Sequence, residues 1–299
     1  MTISKKELYI GIGLAVLATI IWSGNFIVAR GVIKQIPPVG LAFYRWVTGS
    51  LIMLPLAWNR FREEKAILLQ HKGYIFWTAL TGISLFNTLV YVAGHHSPAI
   101  NLALIGTTSS PVFAIILAAI FLKERVPLMR VLGLLLCLSG IVWLLSQGSW
   151  ERLKAFHFSA GDGWILLGAL SFAIYNIMVR RKPTGIHPLN FLFTVFATGT
   201  LIIFPFYLIE LTHTNPVDWS INLVLIILYL GAGASVLAFL CWNMAIARLG
   251  AARTALFGNL IPVFSILEAV LILDEQITMV HVLSGALVIA GVVIANLKR

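Results

Sequence analysis

The chain has 299 residues, 60% of them hydrophobic and only 11% charged, with a mean hydropathy of +0.96. Soluble domains carry about 25% charged residues, so a water-soluble fold of this length is excluded. The formal net charge of +10 would suggest nucleic acid in a soluble chain, but that partner needs cations clustered on one exposed face, and here they fall between apolar runs.

Runs of about 20 apolar residues, enough to cross roughly 30 Å of hydrocarbon, fall at 8–30, 39–59, 73–94, 100–122 and 128–147. Five more follow at 162–181, 188–209, 220–246, 253–273 and 279–297. Lys5 and Lys6 precede the first run and no small-residue cleavage pattern follows it, so it reads as a first span and not a signal peptide. The longest polar connections, near 60–72, 148–161 and 210–219, leave no room for a soluble domain. Cys137 and Cys241 sit inside apolar runs and read as packing residues; no disulfide framework or metal-ligand spacing is present.

Cations are retained on the cytoplasmic side of a membrane. Of the 21 Lys and Arg residues, 16 fall at the N-terminus, at the C-terminus or in alternate loops, leaving Arg30, Lys34, Arg45, Arg152 and Lys154 for the other side. Both termini are therefore expected in the cytoplasm of a cell with a bacterial-type cytoplasmic (inner) membrane, with Asp218 outside.

The second half repeats the first. At an offset of 150, Arg30 and Pro38 match Arg180 and Pro188, and Thr48, Gly49 and Pro55 match Thr198, Gly199 and Pro205. At an offset of 151, Gly82, Ser84, Pro111, Glu124 and Gly140 match Gly233, Ser235, Pro262, Glu275 and Gly291. So many matches with a one-residue drift indicate duplication, with repeats over 1–150 and 151–299. Because five spans is an odd number, the second copy enters the membrane from the opposite face. The expected fold is thus all-α, ten transmembrane helices in two inverted five-helix repeats around a central cavity. Such repeats exchange conformations about a central site, the logic of a secondary transporter.

Three features carry a resemblance over the whole chain: the Trp22-Ser-Gly-Asn-Phe segment, the Tyr44-Arg45-Trp segment, and the proline-to-glutamate pattern of spans 4 and 9. With the ten-helix organisation, they resemble the EamA family of the drug/metabolite transporter superfamily, and within it the YddG-type amino-acid exporters. The resemblance implies carriers that move amino acids and other metabolites, mostly outward, without an ATP-binding part or another cofactor.

Polar groups deep in lipid face the bundle interior. The candidates for substrate binding are Trp22, Asn25, Asn87, Tyr91, Thr107, Ser110, Tyr175, Asn176, Trp242 and Asn259, with Thr108 and Asn243 beside them. Several are repeat mates: Asn25 with Tyr175, Tyr91 with Trp242, Thr108 with Asn259. Any of them could instead be an ordinary interhelical hydrogen bond or packing residue. Pro111 and Pro262, matched interruptions of two apolar helices, are the expected hinges or gates; a proline near a helix start would also simply be tolerated.

Two charges break the repeat, since Arg45 aligns with Val195 and Glu268 with Leu117. They could meet the ends of a zwitterion, pair with each other, or, for Glu268, carry a proton; snorkelling would also account for Arg45. His95 and His96 read as interfacial, and Glu124 and Glu275 as structural, capping a neighbouring helix or bracing a turn. The two glycine pairs Gly11/Gly13 and Gly231/Gly233 read as close helix packing. Spans 2, 5, 7 and 10 look plain and are expected to form the outer wall.

The expected function is a monomeric exporter or facilitator, in the lipid bilayer, for neutral aromatic and other large amino acids or similar metabolites. A multidrug exporter of the same fold is the alternative. An intramembrane enzyme would need a reactive set at matched depth, for which only Glu268 and Arg45 are at hand.

Overall fold

Without water to bind its peptide groups, a spanning segment must satisfy its backbone internally, and a helix does so within one segment. The computed structural model, which describes residues 4–32, 35–96, 99–157, 159, 161–273 and 276–296, accordingly contains ten long helical segments. In chain order they are α1 (Lys5–Val32), α2 (Pro38–Gln70), α3 (72–96), α4 (Ala99–Phe121) and α5 (Leu128–Leu145). The second half supplies α6 (Asp162–Arg180), α7 (Pro188–His213), α8 (221–249), α9 (251–273) and α10 (Met279–Asn296). Eight of them are long and apolar enough to cross a membrane; α4 carries a shorter apolar stretch, Thr108–Phe121, and α9 is interrupted.

Two expected boundaries are corrected. α2 does not stop at residue 59 but continues to Gln70, because the polar stretch after Trp58 is made of good helix formers with an Arg60–Glu63 ion pair at 3.3 Å one turn apart. α7 likewise runs on to His213. The connection 148–161 holds a short helix, Trp150–Lys154, whose start is capped by Ser149 accepting from the Arg152 N–H.

Two antiparallel helix pairs express the internal symmetry. In the α5–α10 pair, Gly133 lies against Gly291, Gly140 against Ser284, and Cys137 Sγ against the Val288 carbonyl at 3.4 Å. Each contact is the repeat image of another, or of itself, at the offset of 151. The small residues let the two backbones approach closely. In the α2–α7 pair, Glu210 accepts from the N–H groups of Val39 at 3.0 Å and Gly40 at 2.6 Å, closing the start of α2. Glu64 does the same at the start of α7, accepting from the His187 N–H at 2.9 Å and the Asn190 side chain at 2.7 Å. Each helix therefore caps the other, where a carboxylate also suits the helix dipole.

The ends that gather most cations meet on one side of the bundle. Glu7 of α1 pairs with Arg248 of α8 at 2.8 Å, and Arg181 after α6 donates to the Phe121 carbonyl of α4. Glu124 lies against Gly250 at the start of α9, where a Cβ would stand 2.9 Å from its Oε1. Gly250 also has φ of +92°, which favours glycine. Glu124 thus meets the N-terminal turn of α9, the bracing role expected of it; Glu275 lies outside the described residues. Lys182 in the neighbouring loop donates to the Ile186 carbonyl at 2.5 Å. Burial holds its ammonium below the usual lysine pKa, with Glu64 opposing.

Candidate functional site

The site is organised by two π-helical turns that no helical periodicity announces. They lie at Leu80–Leu85 in α3 and Tyr229–Leu237 in α8, and the offset of 151 carries the first onto 231–236, inside the second. The wider turn redirects backbone carbonyls away from the helix axis, a feature frequent at functional sites. In α8 the freed Ala234 carbonyl accepts from Trp22 Nε1 at 2.8 Å and from an Arg45 guanidinium nitrogen at 3.0 Å. In α3 the Thr81 carbonyl accepts from Ser171 Oγ at 2.6 Å. Gly82 leaves the room that the Tyr175 ring occupies, since a Cβ there would collide with that ring.

Arg45 is the polar centre of one half of the site. Only 1% exposed, it donates from Nε to Ser235 Oγ at 2.7 Å and from one terminal nitrogen to Asn87 Oδ1 and Tyr91 Oη, both at 3.0 Å. Its guanidinium carbon also stands 5.0 Å from the Trp46 ring centre. A snorkelling Arg45 is therefore excluded, and so is α2 as plain wall: the planar fork is satisfied by fixed acceptors inside the bundle. Arg45 does not pair with Glu268, as the ion pairs among the described residues are Arg60–Glu63 and Glu7–Arg248.

The second half of the site is aromatic. Trp22 contacts Trp242 at 4.9 Å, Phe239 at 5.5 Å and Phe172 at 5.8 Å between ring centres, and Phe172 stacks on Tyr175 at 5.6 Å. Tyr175 donates to Asn243 Oδ1 at 2.8 Å and Trp242 Nε1 to Asn176 Oδ1 at 2.9 Å. Trp22, Tyr175, Asn176 and Trp242 are buried and Asn243 is half-buried, so in this conformation the side chains close on one another.

Four buried amide atoms of this site are left over. Asn87 Nδ2, Asn176 Nδ2, and both Nδ2 and Oδ1 of Asn259 find no partner among the described residues. An orphaned buried group costs about 1–3 kcal/mol; Asn87 and Asn176 still hold Arg45 and Trp242 through Oδ1, whereas Asn259 has neither polar atom partnered among the described residues.

The remaining candidates are spread around this core. Ser110 is half-buried on α4, with Pro111 next to it inside an unbroken helix. Pro262, by contrast, follows a tight 3₁₀ turn at Gly258–Leu260. The matched interruption is therefore present in α9 and not in α4. Having no N–H, Pro262 leaves the Gly258 carbonyl to Ile261, which bonds it three residues back. The side chains of Asn25, Thr107 and His95 lie outside the described residues; His96 is exposed. Of the glycine pairs, Gly11 packs on Leu249 and Gly231 on Thr48, while Gly13 meets nothing. Ser23, Ser235, Tyr229, Phe172 and Phe239 were not singled out from the sequence. The Ser84/Ser235 repeat match could have signalled one of them, and the Trp22-Ser-Gly-Asn-Phe segment another.

Inverted helical repeats meeting at a polar and aromatic core, around π-turns at mirrored positions, define a membrane transporter. The EamA-like transporter family model matches this chain twice, over residues 9–146 and 159–297, and the chain belongs to that family. Among its relatives, an uncharacterized transporter of Archaeoglobus fulgidus is 26% identical over 96% of this chain and 97% of its own. A probable terminal-alkyne amino-acid exporter of Streptantibioticus cattleyicolor is 27% identical over 94% and 91%, respectively. A probable amino-acid metabolite efflux pump of Escherichia coli is 25% identical over 94% and 93%. One solved crystal structure shares the fold, with a TM-score of 0.78 and 18% identity over 96% of both chains.

Proposed function

We propose that this transporter exports large neutral amino acids across a bacterial-type cytoplasmic membrane by alternating access, as a monomer with both termini in the cytoplasm. The two rocking units are residues 1–150 and 151–299. The observation that carries the reading is the set of amide atoms on Asn87, Asn176 and Asn259 without partners among the described residues, with Asn176 held by Trp242 in the ring cluster that also contains Trp22 and Tyr175. Amide groups with hydrogen-bonding capacity to spare suit the carboxylate and ammonium of an amino acid, and flat aromatic walls suit its apolar side chain. A charged side chain against such walls would cost several kcal/mol without a partner. The names of two relatives, an amino-acid exporter and an amino-acid metabolite efflux pump, support the same substrate class.

The buried ring cluster of Trp22, Phe172, Tyr175 and Trp242 is then the closed gate toward the basic end. Opening it parts Trp22 of the first unit from Phe172 and Trp242 of the second, and the mirrored movement of the two units closes the far side.

The test is uptake by liposomes containing only this purified protein. Phenylalanine and leucine should exchange rapidly, lysine, glutamate and glycine poorly, and Trp242→Ala should abolish the preference. Lysine or glutamate as the best substrate, or wild-type phenylalanine exchange by Trp242→Ala, would refute the assignment.

A further inference from the structure

One hydroxyl proton is shared out between Ile20 and Glu268. Ser23 Oγ lies 2.6 Å from the Ile20 carbonyl oxygen and 2.7 Å from Glu268 Oε1. A carbonyl only accepts, and serine has a single proton to give. If Ser23 gives it to Glu268, two oxygens face each other at 2.6 Å with no hydrogen between them. If Ser23 gives it to Ile20, the contact with Glu268 closes only when the carboxyl itself carries a proton and donates it. The second arrangement satisfies both contacts.

The other carboxyl oxygen agrees with this. Glu268 Oε2 is buried and has no partner among the described residues, whereas an ionised carboxylate has about four lone-pair sites to satisfy. A charge so placed within the bilayer would be expensive. The position is also particular to one half of the molecule, because its repeat mate is Leu117.

We propose that Glu268 is the proton-carrying group of this transporter, neutral in the conformation described here and ionised in the opposite one, so that each substrate exported admits one proton. This rests on the export reading above. In the outward-facing state, water at the outer end gives a proton to a Glu268 carboxyl oxygen and an O–H bond forms. After the switch that bond breaks, and the proton passes to water at the cytoplasmic end as the next substrate binds.

The charged and titratable surroundings fit such a cycle. From α8, the Tyr229 hydroxyl donates to the Ile21 carbonyl at 2.7 Å, and its ring oxygen feels both Glu268 and, from α2, Arg45. The carboxyl can release its proton once the α1–α9 contact rearranges and water reaches it, since burial no longer penalises the charge. α4 carries no titratable residue within Ala99–Phe121, and α10 carries only His281, in its first turn. From α1 the one further cation in the outer half is Arg30, whose side chain lies outside the described residues.

The experiment uses the purified full chain in liposomes with an acidic lumen and labelled phenylalanine outside. With potassium and valinomycin on both sides holding the membrane potential at zero, wild type should accumulate phenylalanine about tenfold per pH unit at one proton per neutral substrate. Glu268→Gln, a permanently neutral near-isostere, should still exchange phenylalanine across equal pH but accumulate none. Accumulation by Glu268→Gln at the wild-type level overturns the proposal. If Glu268→Gln does not fold, Glu268→Asp takes its place and should accumulate with a shifted pH dependence; an unshifted one overturns the proposal. A readout independent of substrate is the infrared carboxylic C=O band of the wild type, expected at neutral pH and lost at alkaline pH. Wild-type liposomes that fail to exchange phenylalanine would sink the amino-acid reading alone. The infrared band then decides on Glu268, its presence supporting the proton and its absence overturning it.

Discussion

Gly133 of α5 and Gly291 of α10 face each other so closely that a Cβ built on Gly291 would stand 2.5 Å from the Gly133 carbonyl oxygen. The obstacle is backbone on both sides, which cannot swing away as a side chain would. Gly291→Ala should therefore destabilise the protein by about 1–3 kcal/mol or more, as overpacking does. Gly13→Ala, where nothing lies within 4 Å, should be neutral or slightly stabilising through helix propensity. Thermal unfolding of the two variants in detergent separates them; equal midpoints would mean that α5 and α10 do not pack this way.

Arg45→Lys is not conservative here. An ammonium has no planar fork to reach Ser235, Asn87, Tyr91 and the Ala234 carbonyl together, and each buried acceptor left over costs about 1–3 kcal/mol. The variant is expected to lose both thermal stability and transport, and Arg45→Met to lose more. Wild-type unfolding midpoints for Arg45→Lys would show that the guanidinium network contributes nothing.

Asn259→Ala should give the opposite signature. Asn259 is fully buried and both its side-chain polar atoms lack partners among the described residues. Removing them should leave stability unchanged or raised, while phenylalanine exchange in liposomes falls at least about tenfold, a loss of about 1.4 kcal/mol in transition-state stabilisation. A variant that transports normally would take Asn259 out of the binding site.

Pro262→Ala restores an N–H that can reach the Gly258 carbonyl and so regularise the 3₁₀ turn at Gly258–Leu260. We expect a folded protein with slowed turnover. Pro111→Ala, in a helix that is already continuous, should have a smaller effect. Rates measured in the same liposomes decide, and equal slowing by both would restore the symmetric hinge expected from the repeat.

Topology can be read with an impermeant thiol reagent on intact cells, because the native Cys137 and Cys241 are both buried and free. A cysteine at Asp218 should label and one at Arg299 should not; the reverse would invert the orientation.

The ten spans, their inverted duplication and the family were legible in the sequence, because apolar run length, cation bias and the offset of 150 to 151 are local or linear signals. Most chemically distinctive candidates were legible too, since an asparagine, arginine or glutamate inside an apolar run stands out. What only the tertiary structure decided was who meets whom. Nothing in the sequence says that Arg45 is met by Asn87 and Tyr91 from α3 and by Ser235 from α8, or that the Ala234 carbonyl is free to accept. That freedom comes from a π-turn, a one-residue change in backbone bonding that leaves the apolar pattern unaltered. Likewise the Ser23–Glu268 contact joins residues 245 positions apart, and whether that hydroxyl can donate depends on its distance to the Ile20 carbonyl. Hydropathy sorts a residue toward lipid or interior; the hydrogen-bond count that gives it a role depends on distances set by the packing of both repeats.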